Sequence, residues 1–192
     1  MDQSDAVLDA VISIPKFFKL SFEIWIDINS EIKTYENIFH ATNDINNNYC
    51  GSNWPLTEVE IQSGNKFDLR HTFNCFDVEK SKYGHKYKGN EGLTTQKWHH
   101  VEYQQLPVEL NEEETSSLAE MIIRINHKTT HKIANQFPKR YDNMKIYYGL
   151  SPDKDILNTE SISAKIRNFK LSELLQGETY FTNDSLIPST II

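Results

Sequence analysis

Period two dominates this chain. Phe18, Leu20, Phe22, Ile24, Ile26 and Ile28 alternate with Lys19, Ser21, Glu23, Trp25, Asp27 and Asn29. That is the pattern of a half-buried strand, because successive strand side chains point to opposite faces. Trp25 on the polar side implies that the second face is partly covered too. Further strands are predicted over 37–42 and over 57–62, the latter with Val59 and Ile61 opposed to Glu58, Glu60 and Gln62. Ser63-Gly64-Asn65-Lys66 is a hairpin signal, and Phe67, Leu69, His71 and Phe73 carry the returning strand. Val101 and Tyr103 mark a strand over 98–105; Met121, Ile123 and Ile125 mark the next, and Met144, Ile146 and Tyr148 another. Ile162, Ala164 and Ile166 are followed by Phe169 and Leu171, a phase slip that fits a β-bulge. Residues 6–14 and 178–187 are expected to pair as terminal strands.

No stretch carries the period of an ordinary helix. The segment 111–120 opens with an acidic run and contains Thr115-Ser116-Ser117, and it reads as a loop. Roughly eleven strands, joined by hairpin-type turns without βαβ alternation, predict an all-β antiparallel sandwich or barrel. Long loops are expected over 43–55, 77–96, 107–118 and 151–159. No shift in composition divides the chain, so residues 1–192 are read as one domain.

Composition narrows the function classes. The 192 residues include ten Phe, nine Tyr and three Trp, too many aromatics for a solvated tail. A net charge of -7 disfavours a nucleic-acid binder, whose affinity rests on neutralising phosphates. No apolar run approaches the length of a helical membrane span. The start, Met1-Asp2-Gln3-Ser4-Asp5, is acidic, unlike the basic start of a signal peptide. The chain is thus cytoplasmic, or a mature or recombinant piece of an exported protein. Cys50 and Cys75 are read two ways, as a disulfide worth about 3 kcal/mol on a chain-entropy estimate or as two unpaired small hydrophobes. One glycosylation sequon, Asn183-Asp184-Ser185, is present.

Several segments, taken in order, resemble the concanavalin A-like jelly roll in its laminin-G-like and pentraxin-like branch. They are Phe22-Glu23-Ile24-Trp25-Ile26, Glu36-Asn37-Ile38-Phe39-His40, and the pair Val59-Glu60-Ile61 and Phe67-Asp68-Leu69-Arg70. Trp98-His99-His100-Val101-Glu102-Tyr103, Ile122-Ile123-Arg124-Ile125-Asn126 and Ile146-Tyr147-Tyr148-Gly149 follow, before the closing run from Ala164 to Leu171. The match spans about residues 16–172, and the runs 17–26 and 166–171 are similar to those of laminin-G-like extracellular modules of invertebrates. The resemblance implies two large antiparallel sheets with adjacent termini. It also implies a non-enzymatic recognition or adhesion module, extracellular or at the cell surface, that binds glycan or another extracellular protein. Protein–protein or structural assembly is the alternative, and a glycan-cleaving hydrolase or lyase the remaining one.

Site residues are expected in the rim loops. Trp54 in Asn53-Trp54-Pro55 is read two ways, as an indole in a polar loop that stacks on a sugar or as a side chain tucked onto the core. Asp44, Asn46, Asn48 and Asn53 would then hydrogen-bond hydroxyls. Asp44-Ile45-Asn46-Asn47-Asn48 spaces oxygens as a calcium loop begins, yet Tyr49 replaces the glycine and Pro55 the bidentate Glu of an EF-hand. The resemblance instead implies a rim calcium site, with Asp44 and Asp153 or Asp155 as ligands; Asn-rich turns without metal are the plainer reading. The run from Lys80 to Lys88 interleaves Lys80, Lys82, Lys86, Lys88 and His85 with Tyr83 and Tyr87. Lys82 and Lys86 are therefore candidates for an anionic glycan, a solvated hairpin loop with Glu79 and Glu91 nearby being the plainer reading.

Catalytic patterns fit less well. Retaining hydrolysis needs two carboxyl groups about 5 Å apart, and the strand candidates Glu23 to Asp27 and Glu58 to Glu60 do not match the usual motif. A lyase reading would use Arg70, His71 and Tyr148. His99 and His100 are adjacent on a strand and point to opposite faces, so they cannot chelate together. His127 and His131 are read either as meeting across a tight turn or, more plainly, as ordinary surface histidines. No nucleophile elbow or phosphate-cradling glycine loop is present.

Overall fold

The computed structural model describes residues 7–27, 36–43, 54–62, 64–73, 85–89, 92–108, 119–135, 138–148 and 164–174. These form β1 (Val7–Ile14), β2 (Phe18–Ile26), β3 (Glu36–Thr42), β4 (Leu56–Gln62), β5 (Lys66–Phe73) and β6 (His85–Lys88). They continue through β7 (Leu93–Thr94), β8 (Trp98–Pro107), β9 (Ala119–Ile125), β10 (Lys128–Asn135), β11 (Tyr141–Tyr148) and β12 (Ala164–Glu173). A seven-stranded sheet runs β1-β11-β3-β4-β5-β6, with β7 pairing the start of β5 beside β6. A five-stranded sheet runs β10-β9-β8-β2-β12. Every pairing is antiparallel.

Alternation explains why the two sheets face each other. Phe18, Leu20, Phe22, Ile24 and Ile26 on β2 are completely buried, and each such burial stabilises by about 1.5–3 kcal/mol. Phe22 stacks on Phe39 of the opposite sheet with centroids 4.8 Å apart. Tyr103 of β8 meets Phe73 of β5 edge to face at 5.6 Å. Val59, Phe67, Leu69, Met144 and Ile146 complete the apolar layer. On β2 the outward side is covered as expected: Trp25 carries the Lys165 ammonium over its ring at 4.6 Å.

Turn chemistry sets the hairpins. Gly64 and Asn65 both adopt positive φ, 74° and 58°, as a tight β4–β5 hairpin requires. Asn126 and His127 repeat this between β9 and β10, with φ of 50° and 66°. The bulge expected near Phe169 is present, as a register shift between Arg167 and Lys170 with Asn168 at φ 56°.

Two expectations are corrected, over 77–96 and 111–120, and one strand, over 128–135, was not foreseen. The segment 77–96 is not one loop, because His85–Lys88 pairs with β5 as β6 and Leu93–Thr94 as β7. Lys128–Asn135 forms a full edge strand, although only Ile133 and Ala134 supply apolar character. Ala119 and Glu120 belong to β9 rather than to a loop. Among the described residues β1 pairs with β11; residues 178–187, Ile28 and Ile162 lie outside them.

Candidate functional site

Most of the expected rim site lies outside the described residues: Asp44, Asn46, Asn48, Cys50, Asn53, Cys75, Lys82, Asp153 and Asp155. Of Lys86 only the backbone is described, paired with Thr72. Trp54 is described, and it corrects the stacking expectation. Its main chain is bound to β3, Trp54 N to Ala41 O at 2.8 Å and Ala41 N to Pro55 O at 2.9 Å. That anchorage, across a cis Trp54–Pro55 peptide, lays the indole inward. The ring is 0% exposed, 4.9 Å from Tyr141 and 5.6 Å from Phe73. A sugar cannot reach either face, so Trp54 is a core residue.

The basic run is also divided by strand geometry. Tyr87 turns inward opposite His71, while Lys88 turns outward and pairs with Glu60 at 2.5 Å. Tyr87 and Lys88 therefore do not share one stacking surface, and Lys80, Lys82 and Tyr83 lie outside the described residues.

The catalytic alternatives lose their geometry here. His71 and Tyr148 both point into the core: His71 is 0% exposed, and Tyr148 packs on Phe39 at 5.9 Å. Arg70, on the outer face, is held at two points by Glu58. Glu58 and Glu60 share that face, and each is matched with its own cation. Glu23 is engaged by Arg167 and Asn168. Among the described residues no group of three or more His, Cys, Asp or Glu side chains is arranged to hold a metal. His127 stacks on His100 at 4.7 Å, while His131 packs on Tyr87 at 5.7 Å, so the two histidines do not meet. His99 and His100 do diverge: His99 is buried and His100 faces Glu102 on the outer side.

What the fold does build is a cleft of about 640 Å³ at one edge of the sandwich. One wall comes from the seven-stranded sheet, through Lys88, Gly89 and Leu93; the other comes from Ile125, Asn126 and residues 128–131 of the β9–β10 hairpin. Its volume falls within the roughly 300–1,000 Å³ typical of small-ligand sites. Leu93 and Ile125 are nearly buried and give it an apolar floor. Lys128 and Thr129 are exposed at the rim.

The hairpin wall is positioned by one side chain. The Asn126 amide donates to His99 Nδ1 at 3.0 Å, and its carbonyl oxygen accepts from the His100 N–H at 3.0 Å. His99 Nε2 in turn donates to the Thr94 carbonyl at 2.8 Å. Asn126 itself tolerates the left-handed backbone that the turn demands.

A set of polar groups runs from the cleft into the core. His131 bonds to the Lys88 main chain and spans the two sheet edges; burial lowers its pKa, against the opposing effect of that bond. His71 lies deeper, and burial, reinforced by the charge of His131, pushes its pKa down to about 3. Its Nδ1 meets the Tyr103 hydroxyl at 2.6 Å, and Tyr103 also meets Thr57 Oγ1 at 2.6 Å. Burial raises the Tyr103 and Tyr87 phenols, the latter to about 12. These groups are neutral at pH 7, so the cationic character of the cleft comes from its lysines.

Sequence reasoning missed Lys128, Thr129 and Asn126. The available signal was Asn126-His127, a two-residue turn placed directly after an apolar strand.

No family model and no curated protein matches the chain. Solved structures do. A native heptameric SAP-like pentraxin from Limulus polyphemus is 13% identical, with 88% of this chain and 70% of that chain covered and a TM-score of 0.53. An alginate lyase variant, solved in complex with alginate tetrasaccharide, is 9% identical, with 88% and 78% covered and a TM-score of 0.55. The receptor binding domain of botulinum neurotoxin D is 14% identical, with 90% of this chain but 44% of that chain covered and a TM-score of 0.51. At these identities the likeness is one of fold. The two antiparallel sheets of this chain form a concanavalin A-like jelly-roll β-sandwich.

Proposed function

We propose that the chain is a non-enzymatic recognition module of laminin-G-like type, working outside the cell or at its surface, and that it binds glycan. The observation that carries this reading is the edge cleft. It combines an apolar floor of Leu93 and Ile125 with a rim of lysine, threonine and asparagine side chains. A sugar presents the matching surface, with C–H groups on one side and hydroxyls around its edge. The jelly roll turns up both in a receptor binding domain and in a lyase that holds an alginate tetrasaccharide, so the fold accommodates this ligand class without fixing the function. The inward turn of His71 and Tyr148, and the pairing of Arg70 with Glu58, favour binding over cleavage. A glycan array with the purified chain is the test. Binding to one sugar class, lost when Thr129 is replaced by a bulky Trp at the rim, supports the reading; an empty array overturns it.

Assembly through an exposed edge is the second reading. It rests on Val11, 57% exposed on β1, the terminal strand of its sheet among the described residues. A stable oligomer in sedimentation that Val11→Lys dissolves would favour it.

A further inference from the structure

The charge around the cleft is inverted relative to the chain. The protein carries a net charge of -7, yet among the described residues the nine that line the cleft include two lysines and one histidine and no carboxylate. The lysines stand on opposite walls, Lys88 at the edge of the seven-stranded sheet and Lys128 at the start of β10 in the five-stranded sheet. Glu60 takes one contact of Lys88, whereas Lys128 makes no ion pair with any described residue.

We propose that the cleft takes an anionic sugar unit, one bearing a carboxylate or sulfate, with Lys128 as its principal charge partner and the hydroxyls of Thr129 and Thr130 beside it. This rests on the reading of the cleft as a glycan site and adds the ligand class. The chemistry follows from where the groups lie. An anion at the rim reaches the Lys128 ammonium while its ring packs on Leu93 and Ile125. The apolar floor lowers the local dielectric, so a charge-assisted contact there is stronger than one in open solvent. A neutral sugar leaves Lys128 without that contact and gains only packing and hydroxyl bonds. Because the walls belong to different sheets, an anion seated between them also ties the sandwich edge together, and binding raises thermal stability.

Calorimetry with three probes tests this: a uronate tetramer, the same tetramer with its carboxyl groups reduced to alcohols, and a sulfated tetramer. Wild-type chain is expected to bind the acidic probes about tenfold more tightly than the reduced one, the size of one charge-assisted contact. Lys128→Ala erases most of that preference and Lys128→Arg keeps it, with circular dichroism verifying that both variants are folded. Equal affinity for acidic and reduced tetramers, or a preference that survives Lys128→Ala, overturns the charge assignment and leaves the glycan reading standing. Binding of none of the three, with an empty array, overturns both. A preference for sulfate over carboxylate, or the reverse, identifies which anion the site selects while supporting the assignment.

Discussion

Tyr103 and His71, on opposite sheets, share a hydrogen bond of 2.6 Å between the phenol oxygen and Nδ1, and neither side chain reaches solvent. Thr57 closes the group from the neighbouring strand. Three polar side chains therefore sit where Phe22, Phe73 and Leu69 make the surroundings apolar. Removing one member strands the others. Tyr103→Phe preserves the ring packing and is expected to cost about 1–3 kcal/mol, the desolvation penalty of unpartnered buried groups. Urea denaturation of the variant checks this; an unchanged midpoint would show that the trio contributes nothing to stability.

Acid is expected to destabilise the fold well above the carboxylate range. Folded His71 stays neutral down to about pH 3, whereas an unfolded histidine takes up its proton near pH 6.5. Its contribution is present above 6.5 and is lost as pH falls from there towards 3. In that window one extra proton on the unfolded chain amounts to about 1.4 kcal/mol per pH unit. His99 and His131, also lowered by burial, act in the same direction. Glu102 enters later. Burial alone would raise its carboxyl, but hydrogen bonds from His100, Lys19 and Arg124, with the charge of Lys19, hold it at about 2. Its contribution is lost between about 4.5 and 2. Unfolding free energies at pH 6 and pH 5, for wild type and His71→Gln, isolate the histidine effect: the variant's slope is expected to be shallower by about one proton.

Trp54 separates the structural account from the rim-loop expectation. Trp54→Ala is expected to cost about 3–5 kcal/mol, as large aromatic truncations in cores do. Trp54→Phe is expected to keep glycan affinity unchanged while losing part of that stability. Thermal unfolding and calorimetry on the two variants decide the matter, since a sugar-stacking indole would show the reverse: lost affinity in a stable protein.

The outer face of the five-stranded sheet is held by cation–aromatic contacts, with Arg167 stacked 3.8 Å above the Trp98 ring and also bound to Glu23. Both partners are partly exposed. Arg167→Ala is therefore expected to cost no more than about 1 kcal/mol. A loss of several kcal/mol would show that this ladder, rather than the buried layer, holds β12 in place.

How much of this was legible in the sequence depended on where each strand sits. β2, β5, β9 and β11 are flanked on both sides within their sheets, and one face of each is buried. Their apolar positions therefore had to alternate, and Phe18 to Ile26 displayed it. Among the described residues β6 and β10 are edge strands with a partner strand on one side only, and Lys, Thr and His are tolerated along them. Their sequences carry almost no alternation, and the cleft lies between these two. The site escaped prediction because its walls are the strands with least need of a hydrophobic signature. Trp54 stayed open for a different reason. A tryptophan amid asparagines reads along the chain either as solvent-facing or as core, and its main chain in the structure is bonded to Ala41 with the indole buried.

The most direct test of the glycan-binding cleft is a two-dimensional amide NMR titration of the isotope-labelled chain with the uronate tetramer. Binding at the sandwich edge is expected to shift the amides of Gly89, Asn126, Thr129, Thr130 and His131, with those around Trp25 and Trp98 unmoved. Shifts confined to the Trp25 and Trp98 face, or a spectrum that does not change at saturating sugar, would contradict it.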